Sequence, residues 1–319
     1  MLGITWKITP EIRKLDSEVS SLNLVFSRYH PRPELRIINQ KHGFLKSAVY
    51  SARIENIPAR IDDPRITHKL EIQNLLSGYR YIYSSAVPRK ISPGLIRKFH
   101  RQVLKSLSPD AGSLRGEPWA IFNQAGVAVY LAPAHFKLPE LFAEYADFSN
   151  SLKESPPVSA AISQFVFEKM HPFADGNGRV GRLISAFILQ KFGFGFVSQT
   201  EEYIDNHKDQ YYRALEPNSD CTDFICFFLT AIKETSQLSL ENLSSSSRKP
   251  SPEEVLLPRR QEIIAIIREH PGSTFDFIHR RFHLINPKTL HNDLQILQKQ
   301  EFIQKLGVSR GVVYQIIKK

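Results

Sequence analysis

The chain has 319 residues, 42% of them hydrophobic and 23% charged, with a formal net charge of +10. That length accommodates two or three globular units. No apolar run approaches the roughly eighteen residues of a membrane span, and Pro10, Glu11 and Arg13 interrupt any secretory signal, so a cytoplasmic protein without a membrane partner is expected. The positive balance suits nucleotides or nucleic acid without choosing between them.

In chain order, the periodicity predicts a mainly α protein. Helices are expected over 9–30 and 39–56, the second ending in Ser51-Ala-Arg-Ile-Glu55-Asn56. Ser51 and Glu55 lie four apart, hence on one helix face, and Asn56 suits a left-handed C-terminal cap. The Glu55 carboxylate would then stand near a helix end, able to reach a cationic site. A helix over 66–84, bounded by Pro64 and Pro88, precedes one over 95–106 (Leu95, Ile96, Phe99, Val103, Leu104), which leads into Gly112-Ser-Leu-Arg115-Gly116. Residues 119–131 predict two short strands around Asn123–Gly126. Helices follow at about 137–153 and 157–170. In the latter, Ile162, Phe165, Val166 and Met170 recur at core spacing. Pro172 then discourages continuation, leaving His171 at the helix end and facing a turn.

Residues 171–182, His-Pro-Phe-Ala-Asp-Gly-Asn-Gly-Arg-Val-Gly-Arg, carry the most chemistry. His171 has the one side-chain type that exchanges a proton near neutrality unaided. Asp175 offers the hard oxygen that Mg²⁺ prefers while bridging phosphates. Gly176-Asn177-Gly178 permits positive φ and close backbone approach to an anion. Val180, Leu183, Ile184, Phe187 and Ile188 place a helix start at about Gly178, with its dipole aimed at the same anion. Arg179 and Arg182 add fork-shaped donors that match phosphate oxygens. No Gly-Lys-Ser/Thr follows, which disfavours a Walker-type hydrolase.

Helices are expected over 201–215, with adjacent Tyr211 and Tyr212, and over 221–237, where Cys221 and Cys226 read as thiols on one apolar helix. Ser244–Pro252 reads as a linker. Beyond it, helices over 259–269, 275–283 and 287–300 precede strands over 302–306 and 312–316 around Ser309-Arg310-Gly311.

The 171–182 segment resembles the Fic (filamentation induced by cyclic AMP) signature, His-x-Phe-x-Asp/Glu-Gly-Asn-Gly-Arg-x-x-Arg, at every specified position. The resemblance implies a protein adenylyltransferase that moves AMP from ATP to a hydroxyl of a protein target, or of itself. His171 would be the general base and Asp175 the Mg²⁺ ligand. Gly176–Gly178 and Arg179 would cradle the phosphates, Asn177 would hold the α-phosphate side, and Arg182 would engage the γ-phosphate. The motif's Phe173, Val180 and Gly181 belong with these nucleotide contacts, and Tyr211 and Tyr212 match the helix that flanks adenine. The 119–131 hairpin resembles the flap that aligns the target by strand pairing. Ser51, Glu55 and Asn56 fit the inhibitory Ser/Thr-x-x-x-Glu-Gly/Asn pattern of Fic proteins whose inhibitor helix precedes the core. Glu55 would block Arg182, and the same carboxylate could support AMP removal.

The implied fold is a Fic-type helical core with a small β-hairpin flap, an N-terminal helical module and a C-terminal winged helix. The expected boundaries are 1–92 for the module, 93–243 for the core, 244–254 for the linker and 255–319 for the winged helix. Lys288, His291, Asn292, Gln295 and Arg310 could meet a DNA groove and backbone, but 251–319 holds 11 Lys and Arg against 7 Asp and Glu, only mildly basic, and a protein-docking role is equally open. Winged helices also dimerise, so a homodimer stays open. Two other readings stay open as well: a DNA-binding regulator with a Fic core, and a Fic-fold transferase of another group.

Overall fold

The structure, a computed structural model, describes residues 2–28, 33–63, 65–122, 128–194, 199–216, 219–245, 252–253, 256–283, 285–307 and 311–317. Pro64, the hairpin turn at Asn123–Gly126, most of the expected linker, and Ser309 and Arg310 lie outside the described residues. The chain divides into two compact units, Met1–Ser245 and Ser246–Lys319.

The first unit holds α1 (Pro10–Arg28), α2 (Pro33–Ile54), α3 (Leu70–Ile82), α4 (Pro93–Val103), β1 (Ala120–Phe122), β2 (Ala128–Leu131), α5 (Leu138–Ser151), α6 (Pro156–Met170), α7 (Asn177–Lys191), α8 (Glu201–Asn206), α9 (Lys208–Ala214) and α10 (Thr222–Ser245). The apolar faces of α6 and α7 pack on each other and are buried almost without interruption. Around this pair α4 and α5 close one side, α10 packs on α6, and α2 lies against α3 and α8. One apolar cluster runs from Ile12 to Ile232, so the expected module at 1–92 and core at 93–243 share it. Caps set the entries: Ser92 and Ser155 each accept an N–H from three residues on, with Pro93 and Pro156 at the first helical position. The two hairpin strands are antiparallel, with an irregularity between Ile121 and Phe122.

Three expectations need correction. The helix expected over 201–215 breaks at His207, whose backbone leaves helical geometry at φ −128° and ψ 39°. Its ring Nδ1 hydrogen-bonds the Tyr203 carbonyl that a continuous helix would give to the His207 N–H, and that N–H turns to Ile204 instead. Helix α10 runs to Ser245 rather than stopping near 237, because Ser236 is buried and Leu240 packs on the core. Helix α2 begins at Pro33 rather than 39, a residue suited to a first helical position.

The second unit contains α11 (Pro258–Glu269), β3 (Ser273–Thr274), α12 (Phe275–Arg281), α13 (Pro287–Lys299), β4 (Ile303–Leu306) and β5 (Val313–Ile316). Its sheet is antiparallel in the order β3-β5-β4. Strand β3 directly follows the Pro271-Gly272 stop and, at two residues, is too short to show a period. The core gathers Ile263, Ile267, Ile278, Leu290, Leu294 and Leu297. Asp293, buried on α13, pairs with Arg259 at 2.5 Å and Arg260 at 2.9 Å on α11. Lys288, His291, Asn292 and Gln295 are exposed on α13.

Candidate active site

His171 closes α6 as its C-terminal cap in the left-handed region (φ 44°, ψ 60°), its N–H still bonded to the Phe167 carbonyl. A non-glycine residue there costs about 1–2 kcal/mol, so neighbouring contacts must hold it. Phe173, the motif's aromatic, is fully buried and stacks on His100 at 3.7 Å between ring centroids. His100 Nδ1 accepts from the Gly112 N–H at 2.8 Å, which leaves Nε2 to donate to the Asp175 carbonyl at 3.0 Å. Burial pushes the His100 pKa down to about 4, keeping that pattern neutral. Asn177 completes the turn: its Oδ1 accepts from the Phe173 N–H at 3.0 Å and its Nδ2 donates to the Phe173 carbonyl at 2.8 Å. One acceptor and one donor site of Asn177 thus latch the loop's own backbone, which leaves its second N–H for another partner. Gly176, at φ 80°, precedes α7 in a conformation that suits glycine.

The two arginines part company. Arg179 Nη2 donates to both Asp175 oxygens at 2.9 Å, an i, i+4 pair in which Arg179 is buried and Asp175 two-thirds exposed. Arg182 points the other way, into a pocket of about 780 Å³. Its Nε donates to Ser51 Oγ at 3.0 Å, and its Nη2 donates to the Ser51 carbonyl at 3.0 Å and to Glu55 Oε1 at 2.8 Å. Burial works against the charge of Arg182, yet Glu55 beside it holds the guanidinium above its ordinary pKa. Gly178 provides the room: a Cβ there would lie 2.3 Å from Glu55 Oε1. Asn56 follows α2 in the left-handed region at φ 59°.

His171, Gly178, Arg182, Tyr211 and Tyr212 line this pocket together with Glu55. Phe173, Gly176, Asn177, Arg179, Val180 and Gly181, expected at the nucleotide, do not line it. Val180 is core, and Gly181 is a close-packing position where a Cβ would meet Glu168 Oε1 at 2.4 Å. Tyr211 is buried, its hydroxyl accepting from Gln164 at 3.1 Å, while half-exposed Tyr212 donates to the Ile54 carbonyl at 3.0 Å.

Four residues outside the expected site residues belong to the surroundings of the site. Trp119, just before β1, stacks flat on the His171 ring at 3.6 Å between centroids and 21° between planes. Arg115 donates to the His171 carbonyl at 2.8 Å. His100 supports the turn from behind, and Glu168 lines the pocket with one carboxyl oxygen shut off from solvent; burial pushes its pKa up to about 8. Burial likewise pushes His171 down to about 4, so at neutral pH its ring is uncharged and can accept a proton.

Helix α2 is held against α8 by polar contacts along its length. Lys46 pairs with Glu202 at 3.1 Å, Ser47 donates to Glu201 at 2.9 Å, Tyr50 donates to Glu202 at 3.0 Å, and Arg53 pairs with Asp205 at 2.8 Å. Among the described residues no cluster of three or more His, Cys, Asp or Glu could hold a metal. The exposed Asp175 carboxylate beside a helix N-terminus nevertheless fits Mg²⁺, which takes one or two carboxylates and otherwise water and phosphate oxygens. Among the described residues no helix is long and apolar enough to cross a membrane, and both cysteines are free.

Residues 90–189 match the model of the Fic/DOC family. A Fido domain-containing protein of Dictyostelium discoideum is 32% identical over 96 residues, 28% of this chain and 67% of that one. Protein adenylyltransferase Fic of Drosophila willistoni is 28% identical over 187 residues, which is 56% of this chain but 36% of the relative. The chain thus spans well under half the length of that curated enzyme. A crystal structure of a Fic family protein from Desulfovibrio desulfuricans G20 superposes with a TM-score of 0.63 at 23% identity, covering 98% of both chains, and shows a shared fold.

Proposed function

The chain belongs to the Fic/DOC family, and from that premise we propose that it is a protein adenylyltransferase, taking AMP from ATP to a hydroxyl of a protein target and restrained by its own Glu55. The observation that carries this reading is the meeting of His171, Arg182 and Glu55 in one pocket. His171 takes the proton of the acceptor hydroxyl, whose oxygen attacks the α-phosphorus. The bond from that phosphorus to the β-phosphate bridging oxygen breaks, and pyrophosphate leaves. Arg182, a buried cation of the pocket, receives the γ-phosphate once Glu55 withdraws. Asp175 would hold Mg²⁺, which when bound neutralises charge on the phosphates; Arg179 supports that carboxylate. Glu55 is 29% exposed and faces the pocket, a position from which it could also orient water on an AMP ester and so support AMP removal. Intact mass after incubation of the Glu55→Gly protein with Mg²⁺-ATP tests the reading: AMP adducts on the chain or on an added target support it. Their absence with ATP, and appearance with another nucleotide donor, would replace adenylyl by a different transferred group.

For residues 255–319 we propose a winged helix. The order of three helices with an antiparallel hairpin supports it, as does the exposed polar face of α13 carrying Lys288, His291, Asn292 and Gln295. A fluorescence-anisotropy salt titration separates DNA binding, with a steep salt slope, from protein docking or homodimerisation, which gives none.

A further inference from the structure

His171 is gripped from two sides by the segment that carries the hairpin. On the backbone side, buried Arg115 donates from Nε to the His171 carbonyl at 2.8 Å, and its N–H donates to the Pro172 carbonyl at 2.9 Å. Its Nη1 donates to the Glu117 carbonyl at 2.6 Å and its Nη2 to the Pro133 carbonyl at 2.5 Å, so one guanidinium binds both ends of the hairpin to the strained residue. On the side-chain side, the Trp119 indole covers the imidazole face. The Trp119 carbonyl accepts from the Ala132 N–H at 3.0 Å, which closes the hairpin, and the Tyr130 hydroxyl donates to the Lys169 carbonyl near the end of α6.

Among the described residues the ring itself makes one protein hydrogen bond, Nδ1 to the Glu168 carbonyl at 3.3 Å. A carbonyl only accepts, so the ring proton sits on Nδ1 and the Nε2 lone pair remains to take a proton. That is the reverse of the tautomer a free neutral imidazole prefers. A single bond at 3.3 Å is weak support for it, and the flat packing of Trp119 supplies what the bond lacks: it stops the ring turning about its Cβ–Cγ axis.

We propose that Trp119 is a positioning residue for His171, and that with Arg115 it makes the hairpin and the proton acceptor one mechanical unit. The reading rests on His171 being the proton acceptor of the transfer. It follows that the hairpin, besides covering the pocket, fixes which imidazole nitrogen carries the lone pair, and that a target pairing with the hairpin meets an acceptor already oriented.

The test uses the full-length Glu55→Gly protein, ¹⁵N-labelled, with Trp119→Ala, Trp119→Phe and Arg115→Lys added singly. Long-range ¹H–¹⁵N spectra give the His171 tautomer without any turnover. The parent should show a bare Nε2 and a protonated Nδ1. Trp119→Ala should move the population toward Nε2–H and lower kcat by about tenfold or more while the KM for ATP stays within about threefold, since only orientation is lost. Trp119→Phe keeps an aromatic face and should retain the tautomer and most of kcat. Arg115→Lys, which keeps the charge but loses the fork, should shift the tautomer in the same direction as Trp119→Ala. An unchanged tautomer in Trp119→Ala overturns the proposal, whether or not kcat falls. If Trp119→Ala fails to fold, loss of the Nδ1–H tautomer in well-folded Trp119→Phe and retention in Arg115→Lys would overturn it equally. Should the parent transfer no AMP, the enzymatic reading fails while the tautomer still decides the positioning.

Discussion

The Glu55 carboxylate and the Arg182 guanidinium, 127 residues apart in sequence, meet at 2.8 Å over the space that Gly178 leaves by having no side chain. Arg182 is 1% exposed and Glu55 29%, so the pair is half-sheltered: one member is fixed in the core and the other can leave toward the pocket. Ser51 holds the guanidinium through its hydroxyl and its carbonyl, which keeps Arg182 in place whether or not Glu55 is present.

Replacing Glu55 by Gly should therefore raise transfer rather than abolish it. A hydrogen bond to a charged group is worth about 1.5–3 kcal/mol, or roughly ten- to hundredfold in the population of the open site. Radiolabelled AMP incorporation measures the gain, and any AMP-removing activity should disappear in the same variant. No gain over the unaltered protein would reduce the Glu55–Arg182 pair to a structural role.

His171→Ala in the Glu55→Gly background should lower transfer by about 10²- to 10⁴-fold, the usual worth of a positioned proton acceptor. ATP affinity by calorimetry should change little, because Arg182 and the α7 N-terminus are untouched. Transfer at the parent rate would remove His171 from the chemistry.

Arg182→Ala should weaken ATP binding and also cost about 1–3 kcal/mol of stability, since the buried Ser51 carbonyl and the Glu55 carboxylate lose their partner. Calorimetry and chemical denaturation report the two effects separately. An unchanged ATP affinity would rule out Arg182 as a phosphate ligand.

Glu168 gives the protein a pH signature. Its folded pKa, near 8, lies above the ordinary value of 4.5, so the folded state holds a proton that the unfolded state releases. The corresponding stability is complete below about pH 4.5 and is lost as the pH rises through 8. His100 and His171 act in the opposite sense, their folded values near 4 making stability rise from pH 4 to 6.5. Between pH 6.5 and 8, Glu168 stands apart from both histidines. The thermal midpoint should fall across that window in the natural protein and stay flatter in Glu168→Gln; parallel slopes would contradict the raised value.

Asp205→Asn should raise transfer severalfold without touching the pocket. Asp205 is buried and meets both Arg53 at the end of α2 and Lys208 on α9, so neutralising it loosens the helix that carries Glu55. Faster amide exchange across 46–54 should accompany the gain. Unchanged exchange would show that α2 is held by its apolar face alone.

What could be read from the sequence was local. The turn at 172–178, the start of α7 and the end of α6 at His171 follow from Pro172, Gly176 and the apolar spacing on either side. The division of labour between Arg179 and Arg182 was also within reach, because Asp175 sits four residues before Arg179, the spacing of a helical ion pair. The stacking of Trp119 on His171 was not, since it depends on a hairpin folding back over a helix end 52 residues later in the chain. His100 left only a faint trace, a polar residue on the otherwise apolar face of Leu95, Ile96, Phe99 and Val103. The break at His207 was hidden because its cause is a side chain competing for one carbonyl, which no periodicity records.

The way α2 is fastened has a quantitative consequence. In the proposed transferase Glu55 acts on Arg182 as a tethered ligand, and its strength as a competitor is an effective concentration, in the millimolar range or above for short connections. Dilution of the protein leaves that number unchanged, whereas ATP must outcompete it at whatever concentration the surroundings supply. The polar bonds of Lys46, Ser47, Tyr50 and Arg53 to α8 shorten the tether. Breaking any one of them should lower the effective concentration by a finite factor, so on the proposed reading restraint on this pocket is graded, and the nucleotide level at which transfer begins is set by how many of them hold.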